Sequence, residues 1–324
     1  MCTALSICMG THYFGRNLDL DRSYGEEVCA MPRRFPLHFR TMGDMSHHYA
    51  MIGMATVMEG IPLFYDAANE YGLSIAGLRF PGNAWYAPMT EGKDNITPFE
   101  LIPWILGQCR TTADAKHLLS HMNLVDIPFS PQLPLAPLHW IISDREQSIV
   151  LEQMRDGLHI HENSVGVLTN NPPLAQQLEN LAAYSHLRTD YIAVPCEENL
   201  PYVTDSLGLG AVGLPGDVSS MSRFVRMAFG SANSVCDETE SAAVGQFFHL
   251  LDAVAMIKGV CRTDEGALEY TKYSACMNTQ QGLYYYTTYG NRRICCVDMH
   301  KTDLEGSTVS RFPLLTKESI CYQN

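Results

Sequence analysis

The sequence predicts an α+β fold in which stacked antiparallel sheets are covered by helices. Strand-like runs follow one another in pairs joined by short turns, as where "SDREQ" (143–147) connects "LHWIIS" (138–143) to "SIVLEQM" (148–154). The helical segments form separate blocks and do not alternate regularly with strands, so a doubly wound parallel sheet is not expected. Neither common glycine-rich phosphate loop occurs in the chain.

One domain covering residues 1–324 is the expected organisation. The 324 residues contain no internal repeat, heptad run or long Gly/Ser linker, and this length fits a large single domain. No stretch approaches the roughly 20 apolar residues that a membrane span requires. The apolar start also lacks the basic region of a secretory signal. A cytoplasmic protein is therefore expected.

Charge and cysteine content argue against several function classes. The formal net charge is −13 and there is no basic block, so nucleic-acid binding is not expected. The same charge should weakly repel anionic small molecules. Eleven cysteines are present, but this number is odd and no two have Cys-x-x-Cys spacing. Reduced and mostly buried cysteines are therefore expected, with Cys295 and Cys296 in the core.

The N-terminal segment is predicted to be a hairpin. Cys2–Met9 alternates apolar and polar residues as a strand does, "GTHYFG" (10–15) supplies a turn, and "YFGRNLD" (13–19) returns as a second strand. Such a hairpin brings Arg16 and Asp19 back toward residue 2.

Further along the chain, the clearest helix signal is "TPFELIPWILGQC" (97–109), with Thr97 as N-cap and Glu100 closing a capping box. The remaining predicted helices are "TADAKHLLSHM", "LAQQLENLAAY", "SSMSRFVRMAF" and "SAAVGQFFHLLDAVAMI". The remaining predicted strands are "GLHIHE", "GLYYYTTY" and "RRICCVDM".

Cys2 carries both a nucleophile and a base once Met1 is removed, and a small second residue normally permits that removal. A thiol attacks carbonyl groups as its thiolate. An α-amine has an ordinary pKa of about 7.7–8.0, so part of it is unprotonated near neutrality. One residue with both groups fits the N-terminal-amine form of nucleophilic catalysis. Arg16 is expected to polarise the site, and Asp19 to orient the amine.

The sequence resembles the choloylglycine hydrolases, which are N-terminal-nucleophile amidases comprising bile salt hydrolases and penicillin V acylases. "MCTAL" and "YFGRNLDLD" carry the resemblance at the N-terminus. It continues in order through "AGLRFPGNAWY", "NITPFELIPWILGQC", "QLPLAPLHWIISD", "VGVLTNNP", "GLPGDVSSMSRFVR" and "YYTTYGNRR". It therefore covers nearly the whole chain, and it implies the αββα sandwich of this class.

The resemblance also implies the catalytic residues. Cys2 is the nucleophile, flanked by Arg16 and Asp19. Asn170 offers its side-chain amide to the oxyanion, the backbone N–H of Arg79 is the second donor, and Arg223 completes the polar site. The reaction is attack on an amide, formation of a thioester and hydrolysis by water. It requires neither a metal nor a cofactor.

The substrate is inferred from individual positions and segments of the chain. Bile-salt-cleaving members commonly have asparagine where this chain has Arg79, and penicillin V acylases have tyrosine, so this position does not discriminate. Close matches at "FPGNAWY" and "GLPGDVSS" favour bile salts. Two Pro-containing apolar segments, "EGIPLFY" (59–65) and "VDIPFSPQLPLAP" (125–137), are expected to line the mouth of the pocket. The expected substrate-binding residues are Leu18, Tyr24, Ile61, Phe64, Asn83, Phe129 and Leu135.

Several alternatives remain open at the level of sequence. An acylase acting on penicillin V or N-acyl homoserine lactones is the nearest, and a non-catalytic binder of bile acids is another. A metal or thiol-redox protein is a third, but His117 and His121 are four residues apart with no HExxH pattern, so a surface role is favoured. Related members are usually homotetramers, so self-association is expected alongside binding of conjugated bile acids, without nucleic-acid or membrane partners.

Overall fold

The structure is a computed structural model that describes residues 1–192 and 207–324. Most of its strands belong to two antiparallel sheets. In chain order the strands are β1 (Cys2–Met9), β2 (Thr11–Leu20), β3 (Glu26–Met31), β4 (Leu37–Phe39), β5 (Gly43–Met45), β6 (Met51–Met58), β7 (Ile61–Asn69), β8 (Ser74–Arg79), β9 (Asp94–Ile96), β10 (Met122–Leu124), β11 (Leu138–Ser143), β12 (Ser148–Met154), β13 (Gly157–Glu162), β14 (Val167–Leu168), β15 (Tyr270–Asn278), β16 (Leu283–Thr288), β17 (Asn291–Asp298) and β18 (Ser310–Pro313).

The first sheet contains the N-terminal hairpin near its centre. Its strand order is β14-β1-β2-β15-β16-β17. The register pairs Cys2 with Leu18 and Met9 with Thr11, so the predicted hairpin is confirmed but its turn is shorter than "GTHYFG". The chain reverses at Gly10, which has φ +77°, a conformation that glycine adopts without a side-chain penalty. Residues 11–15 already belong to the returning strand.

The second sheet has eight strands in the order β13-β12-β11-β8-β7-β6-β3-β18. The predicted "SDREQ" hairpin is confirmed within it, because β11 pairs with β12 from Trp140 to Ser143. Between β6 and β7 the register shifts by one residue near Tyr65. A bulge of this kind re-aims the neighbouring side chains, and it affects the site described below.

Helices cover the outer faces of both sheets. They are α1 (Leu101–Leu106), α2 (Thr112–Leu119), α3 (Leu174–Ala182), α4 (Ser220–Ala232) and α5 (Glu240–Asp252), with short 3₁₀ turns at Leu209–Ala211 and Met299–Lys301. The first of these helices begins three residues later than predicted, since its N-cap is Glu100 and not Thr97. Thr97 Oγ1 donates to the Glu100 carboxylate at 2.7 Å, and residues 97–100 form a turn that precedes the helix.

Two apolar cores separate the four layers. One fills the space between the sheets and continues to α4 and α5, including Phe14, Phe224 and Phe247. The other lies between the eight-stranded sheet and α1 and α2, including Trp104 and Trp140. Apolar burial on both faces of each sheet therefore produces an α–β–β–α stack, as the sequence predicted.

The cysteine prediction is only partly correct. The ten cysteines in the described part of the chain are all free, but only Cys2, Cys29, Cys109 and Cys276 are buried. Cys296 is exposed and Cys295 is half-buried, because β17 is the edge strand of its sheet and is covered on fewer sides. Cys196 lies outside the described residues. None of the described helices is long and apolar enough to cross a membrane.

The central hairpin requires a glycine at position 15. A Cβ built on Gly15 would lie 1.9 Å from the carbonyl oxygen of Ala275 in the neighbouring strand. We expect Gly15→Ala to lower the free energy of unfolding by roughly 3 kcal/mol, because the two backbones must separate. Gly245→Ala is the control, since a Cβ at this helical position meets no atom within 4 Å and should stabilise by about 0.5–1 kcal/mol. Urea unfolding of both variants measures the difference, and equal midpoints would contradict the prediction.

Candidate active site

The thiol of Cys2 lies between the two sheets. Cys2 is 2% exposed and begins β1 directly opposite Leu18. Side chains alternate across a strand, so Cys2 and Arg16 share the face toward the eight-stranded sheet. Asn17 points the other way, where its Nδ2 donates to the Leu251 carbonyl in α5 at 2.8 Å.

Arg16 is a fully buried cation on the same face as the thiol. Its Nη1 donates to the carbonyl oxygens of Gly77 at 2.6 Å and Tyr65 at 3.1 Å. Burial alone would lower the pKa of this guanidinium, but attraction to Cys2, Tyr273 and other acidic groups outweighs burial and raises it. Its Nη2 has no partner among the described residues. Arg16 is therefore a permanent positive charge held beside Cys2.

Asp19 approaches the chain terminus from the opposite face. Its backbone pairs with Met1, since Asp19 N donates to the Met1 carbonyl at 2.9 Å and the terminal amine donates to the Asp19 carbonyl at 2.9 Å. Its Oδ1 accepts from Thr271 Oγ1 at 2.6 Å. Its Oδ2 is buried and has no partner within the described ranges. The carboxylate thus stands near the terminus without facing the thiol directly.

Asn170 joins the main parts of the cluster. Its Oδ1 accepts from Cys2 N at 2.8 Å and from Arg223 Nη2 at 2.7 Å, while its Nδ2 donates to the Arg79 carbonyl at 2.8 Å. Its own backbone N–H donates to Ser220 Oγ at 2.8 Å. The residue lies two positions after the short strand β14, which pairs with β1. This pairing is what brings a residue so distant in sequence to Cys2.

Arg223 fixes the first residues of β1 from helix α4. Its Nη1 donates to the Cys2 carbonyl and to Thr3 Oγ1, both at 2.5 Å, and its Nε donates to the Val218 carbonyl at 3.0 Å. Burial lowers the pKa of this guanidinium, against the opposing influence of Asp19 and Cys2. Arg223 therefore holds the backbone on which the nucleophile is carried.

The backbone of Arg79 faces the cluster, whereas its side chain is exposed. Arg79 lies opposite Leu138 in the ladder between β8 and β11. Leu138 N donates to Tyr86 Oη and not to Arg79. The next residue, Phe80, donates its backbone N–H to the Pro137 carbonyl. In an antiparallel ladder the N–H and C=O of one residue point the same way. Because the Arg79 carbonyl contacts Asn170, its N–H is directed to the same edge of β8.

Asn83, which is expected to bind substrate, is hydrogen-bonded to the loop that carries Asn170. Its Nδ2 donates to Asn171 Oδ1 at 2.8 Å, and Asn171 Nδ2 donates to the Pro81 carbonyl at 2.6 Å. Asn83 therefore joins the turn after β8 to the loop that carries Asn170. Its amide is engaged within the wall of the site.

The other predicted substrate-binding residues fall into two groups. Leu18 lies opposite Cys2, Leu135 is half-buried in the segment that leads to β11, and Tyr24 and Ile61 are 42% and 37% exposed. Tyr24, Ile61 and Leu135 leave apolar surface near the hairpin and along the ends of the strands, whereas Leu18 is only 3% exposed and belongs to the core between the sheets.

Phe64 is a correction, whereas Phe129 stays a prediction. Segment 59–65 is mostly the start of β7 and not a loop, and Phe64 packs with the core under α1 and α2, on the side of the sheet away from Cys2. Phe129 is 7% exposed and packs edge-on against Phe99 at 5.3 Å. Its ring therefore anchors the loop.

Tyr65 was missed by the sequence analysis because the bulge was not recognised. It packs against the core between the sheets, its carbonyl accepts from Arg16, and its hydroxyl lies 2.8 Å from Thr56 Oγ1. Asp66 was also missed. It accepts from Tyr273 and Tyr284 hydroxyls at 2.6 Å each, and burial raises the pKa of its carboxyl, against the opposing influence of Arg16.

The described residues contain no metal-binding cluster. No group of three or more His, Cys, Asp and Glu side chains is placed to hold an ion in ranges 1–192 and 207–324. The rings of His117 and His121 lie edge-on with centroids 5.8 Å apart, but they form only a pair. The chemistry available at Cys2 is that of a thiol surrounded by guanidinium and amide groups.

Comparison with known proteins agrees with this arrangement. Residues 2–312 match the linear amide C–N hydrolases, choloylglycine hydrolase family. A bile salt hydrolase/transferase from Lactiplantibacillus plantarum is 48% identical over 314 residues, which are 97% of either chain. One from Clostridium perfringens is 36% identical over 100% of both chains.

Solved structures give the same result. A mutant conjugated bile acid hydrolase from Clostridium perfringens superposes with a TM-score of 0.94 at 36% identity, covering 100% of both chains. Penicillin V acylase from Agrobacterium tumefaciens has a TM-score of 0.75 at 20% identity, covering 96% of this chain and 90% of its own. The latter likeness concerns the fold alone, and together they confirm the αββα sandwich of the N-terminal-nucleophile hydrolases.

The fold and the matched family define an enzyme that hydrolyses linear amide C–N bonds. More narrowly, the chain belongs to the choloylglycine hydrolase family.

Proposed function

We propose that this enzyme cleaves the amide bond of glycine- or taurine-conjugated bile acids. The observation that carries the proposal is the 48% identity to a bile salt hydrolase/transferase over 97% of both chains. The hydrogen bonds of Asn170 to Cys2, Arg79 and Arg223 support the same chemistry. The likeness to penicillin V acylase is restricted to the fold, so that substrate is not favoured.

The proposed reaction begins with removal of Met1, which converts the nitrogen of Cys2 into an α-amine. This amine takes the proton of the thiol, and the thiolate attacks the amide carbon. The resulting ammonium then gives its proton to the departing nitrogen as the C–N bond breaks. Water hydrolyses the thioester, releases the bile acid and restores the thiol.

Two N–H groups are suited to the oxyanion. Asn170 Nδ2 carries two hydrogens, of which one goes to the Arg79 carbonyl and the other is assigned to the oxyanion. The backbone N–H of Arg79 is the second donor, since it points to the same edge as its carbonyl. Such donors stabilise charge that develops only during the reaction. Arg16 supplies the positive charge beside the thiolate, and the Asp19 carboxylate accepts a hydrogen bond from the α-amine.

The acyl group is proposed to be the apolar steroid. Leu18, Tyr24, Ile61 and Leu135 provide apolar contacts, and Tyr65 joins them at the bulge. Burying roughly 200 Å² of steroid at about 25 cal/mol per Å² contributes about 5 kcal/mol. This exceeds the screened repulsion between the anionic substrate and a chain of net charge −13.

A direct assay tests this function. Purified enzyme, with removal of Met1 verified by intact mass, is incubated with glycocholate, taurocholate and penicillin V at equal concentration. We expect release of glycine or taurine to exceed penicillin V cleavage. Preferential cleavage of penicillin V, or binding of the conjugates without release of an amino acid, would overturn the proposal.

The exposed side chain of Arg79 is expected to affect the choice of leaving group. Its guanidinium acts on the N-terminal amine, whose pKa it helps to lower, so it lies within electrostatic reach of the reacting end. A guanidinium binds carboxylates and sulfonates differently because its hydrogen bonds are directional. We predict that Arg79→Asn changes the ratio of kcat/KM for taurocholate over glycocholate by roughly three-fold or more. Arg110→Asn, at an exposed arginine on α2's N-terminal side, is the control, and an unchanged ratio for Arg79→Asn would exclude the contact.

The remaining features are proposed on the basis of family membership. We place residues 1–324 in one catalytic domain and expect a homotetramer in the cytoplasm, working without a metal or cofactor. Light scattering of the purified enzyme tests the assembly, and cell fractionation tests the location.

A further inference from the structure

Glu269 is a buried carboxylate at the N-terminus that the proposed reaction leaves without a role. It lies just before β15 and is 5% exposed. Its carboxylate forms an ion pair with the amine of Met1, which also donates to the Asp19 carbonyl at 2.9 Å. A carboxylate held in this way, away from water, is stable only with a partner.

Removal of Met1 takes that partner away and creates a new one next to it. The nitrogens of Met1 and Cys2 are separated by three covalent bonds, so they lie no more than about 4 Å apart. The new α-amine of Cys2 therefore appears within one side-chain adjustment of the Glu269 carboxylate. The Asp19 carboxylate, whose Oδ2 is buried and without a partner in the described residues, acts on the same terminus and raises the pKa of its amine.

Several other charged groups act on the terminal amine beside Glu269. Burial lowers the pKa of the terminal amine, and Arg223 and Arg79 lower it further, whereas Cys2 and Asp19 raise it. Arg16 adds positive charge on the thiol side. The desolvated amine thus has two negative groups near it, Asp19 and Glu269, in a site that also holds three guanidinium groups.

We propose that Glu269 is a positioning residue that binds the α-amine of Cys2 in the mature enzyme and keeps its basicity high enough to accept the thiol proton. The proposal rests on the function proposed above only in taking Cys2 as the nucleophile. When the proton moves from sulfur to nitrogen, Glu269 stabilises the ammonium that forms. When the ammonium gives its proton to the departing nitrogen, the pair returns to its initial state.

The test measures the protonation of Cys2 without relying on any amide substrate. The rate of Cys2 alkylation by iodoacetamide is followed against pH in mature protein by intact mass. For Glu269→Gln we expect the apparent pKa of the thiol–amine pair to fall by about one unit, because a nearby negative charge is lost. Glu269→Asp should recover part of this shift, and Glu265→Gln, at an exposed carboxylate in the preceding turn, should leave it unchanged.

Activity provides the second readout. The acidic limb of kcat/KM against pH should move to lower pH in Glu269→Gln by the same amount as the alkylation profile. If Glu269→Gln does not fold, Glu269→Asp is compared with the parent by the same two profiles, and a smaller shift in the same direction is expected. Unchanged profiles in the folded variant would overturn the proposal. Failure to cleave bile salts with a shifted alkylation profile would overturn only the proposed substrate.

Discussion

Replacing Cys2 by serine is expected to reduce kcat/KM on a conjugated bile acid by at least about 10³-fold. A hydroxyl is a far weaker acid than a thiol, so much less of the deprotonated nucleophile forms beside the α-amine. Loss of a nucleophile is also among the most costly changes in an enzyme that forms a covalent intermediate. Initial rates of amino-acid release, measured with enzyme whose terminus has been checked by intact mass, give the result.

Two further variants serve as controls that assign this loss of activity to the Cys2 thiol. Cys8→Ser alters an exposed thiol on the same strand and should keep activity close to that of the parent. Cys2→Ala should abolish turnover and leave the thermal unfolding midpoint nearly unchanged. Full turnover in Cys2→Ser, or in protein that retains Met1, would exclude Cys2 as the N-terminal nucleophile.

Replacing Asn170 by aspartate is expected to lower kcat by about 10²–10³-fold, the usual loss when an oxyanion donor is removed. The change keeps an oxygen to accept from Cys2 N and Arg223 Nη2. It removes the Nδ2 donor and places a negative charge where the oxyanion forms. Because the substrate carbonyl is neutral before attack, KM should change much less than kcat. Steady-state kinetics separate the two parameters.

The control for this prediction is Asn180→Asp, at a half-buried position near the end of α3, which should retain activity. Thermal unfolding is recorded for both variants. A fall in kcat that follows loss of folded protein, or a rise in KM with unchanged kcat, would indicate that Asn170 only supports the loop.

Local sequence patterns were sufficient to predict the layers of the fold and most of its helices and strands. Alternation in Cys2–Met9 predicted a strand, "LHWIIS" was predicted as a strand-like run and "SSMSRFVRMAF" as a helix, because the periods of strands and helices follow from backbone geometry. Element ends were less accurate. Thr97 and Glu100 bond to each other in a turn before the first helix, although their spacing resembles a capping box.

The pocket residues show why local patterns were not sufficient there. A one-residue bulge beside Tyr65 reverses which side chains of β7 face the other sheet, so Phe64 packs under α1 while Tyr65 faces inward. No residue type in "EGIPLFY" signals this shift, because it depends on pairing with β6.

The chain alone therefore specified the layered fold, the terminal cysteine and the family motifs, since these depend on neighbours in sequence and on matching segments. Long-range packing specified the contacts. Asn170 reaches Cys2 because β14 pairs with β1, and Glu269 reaches the terminal amine because β15 lies beside β2. These contacts join residues that are 168 and more than 250 positions apart in the sequence. They arise from strand pairing and from burial of the whole chain, which no short segment encodes.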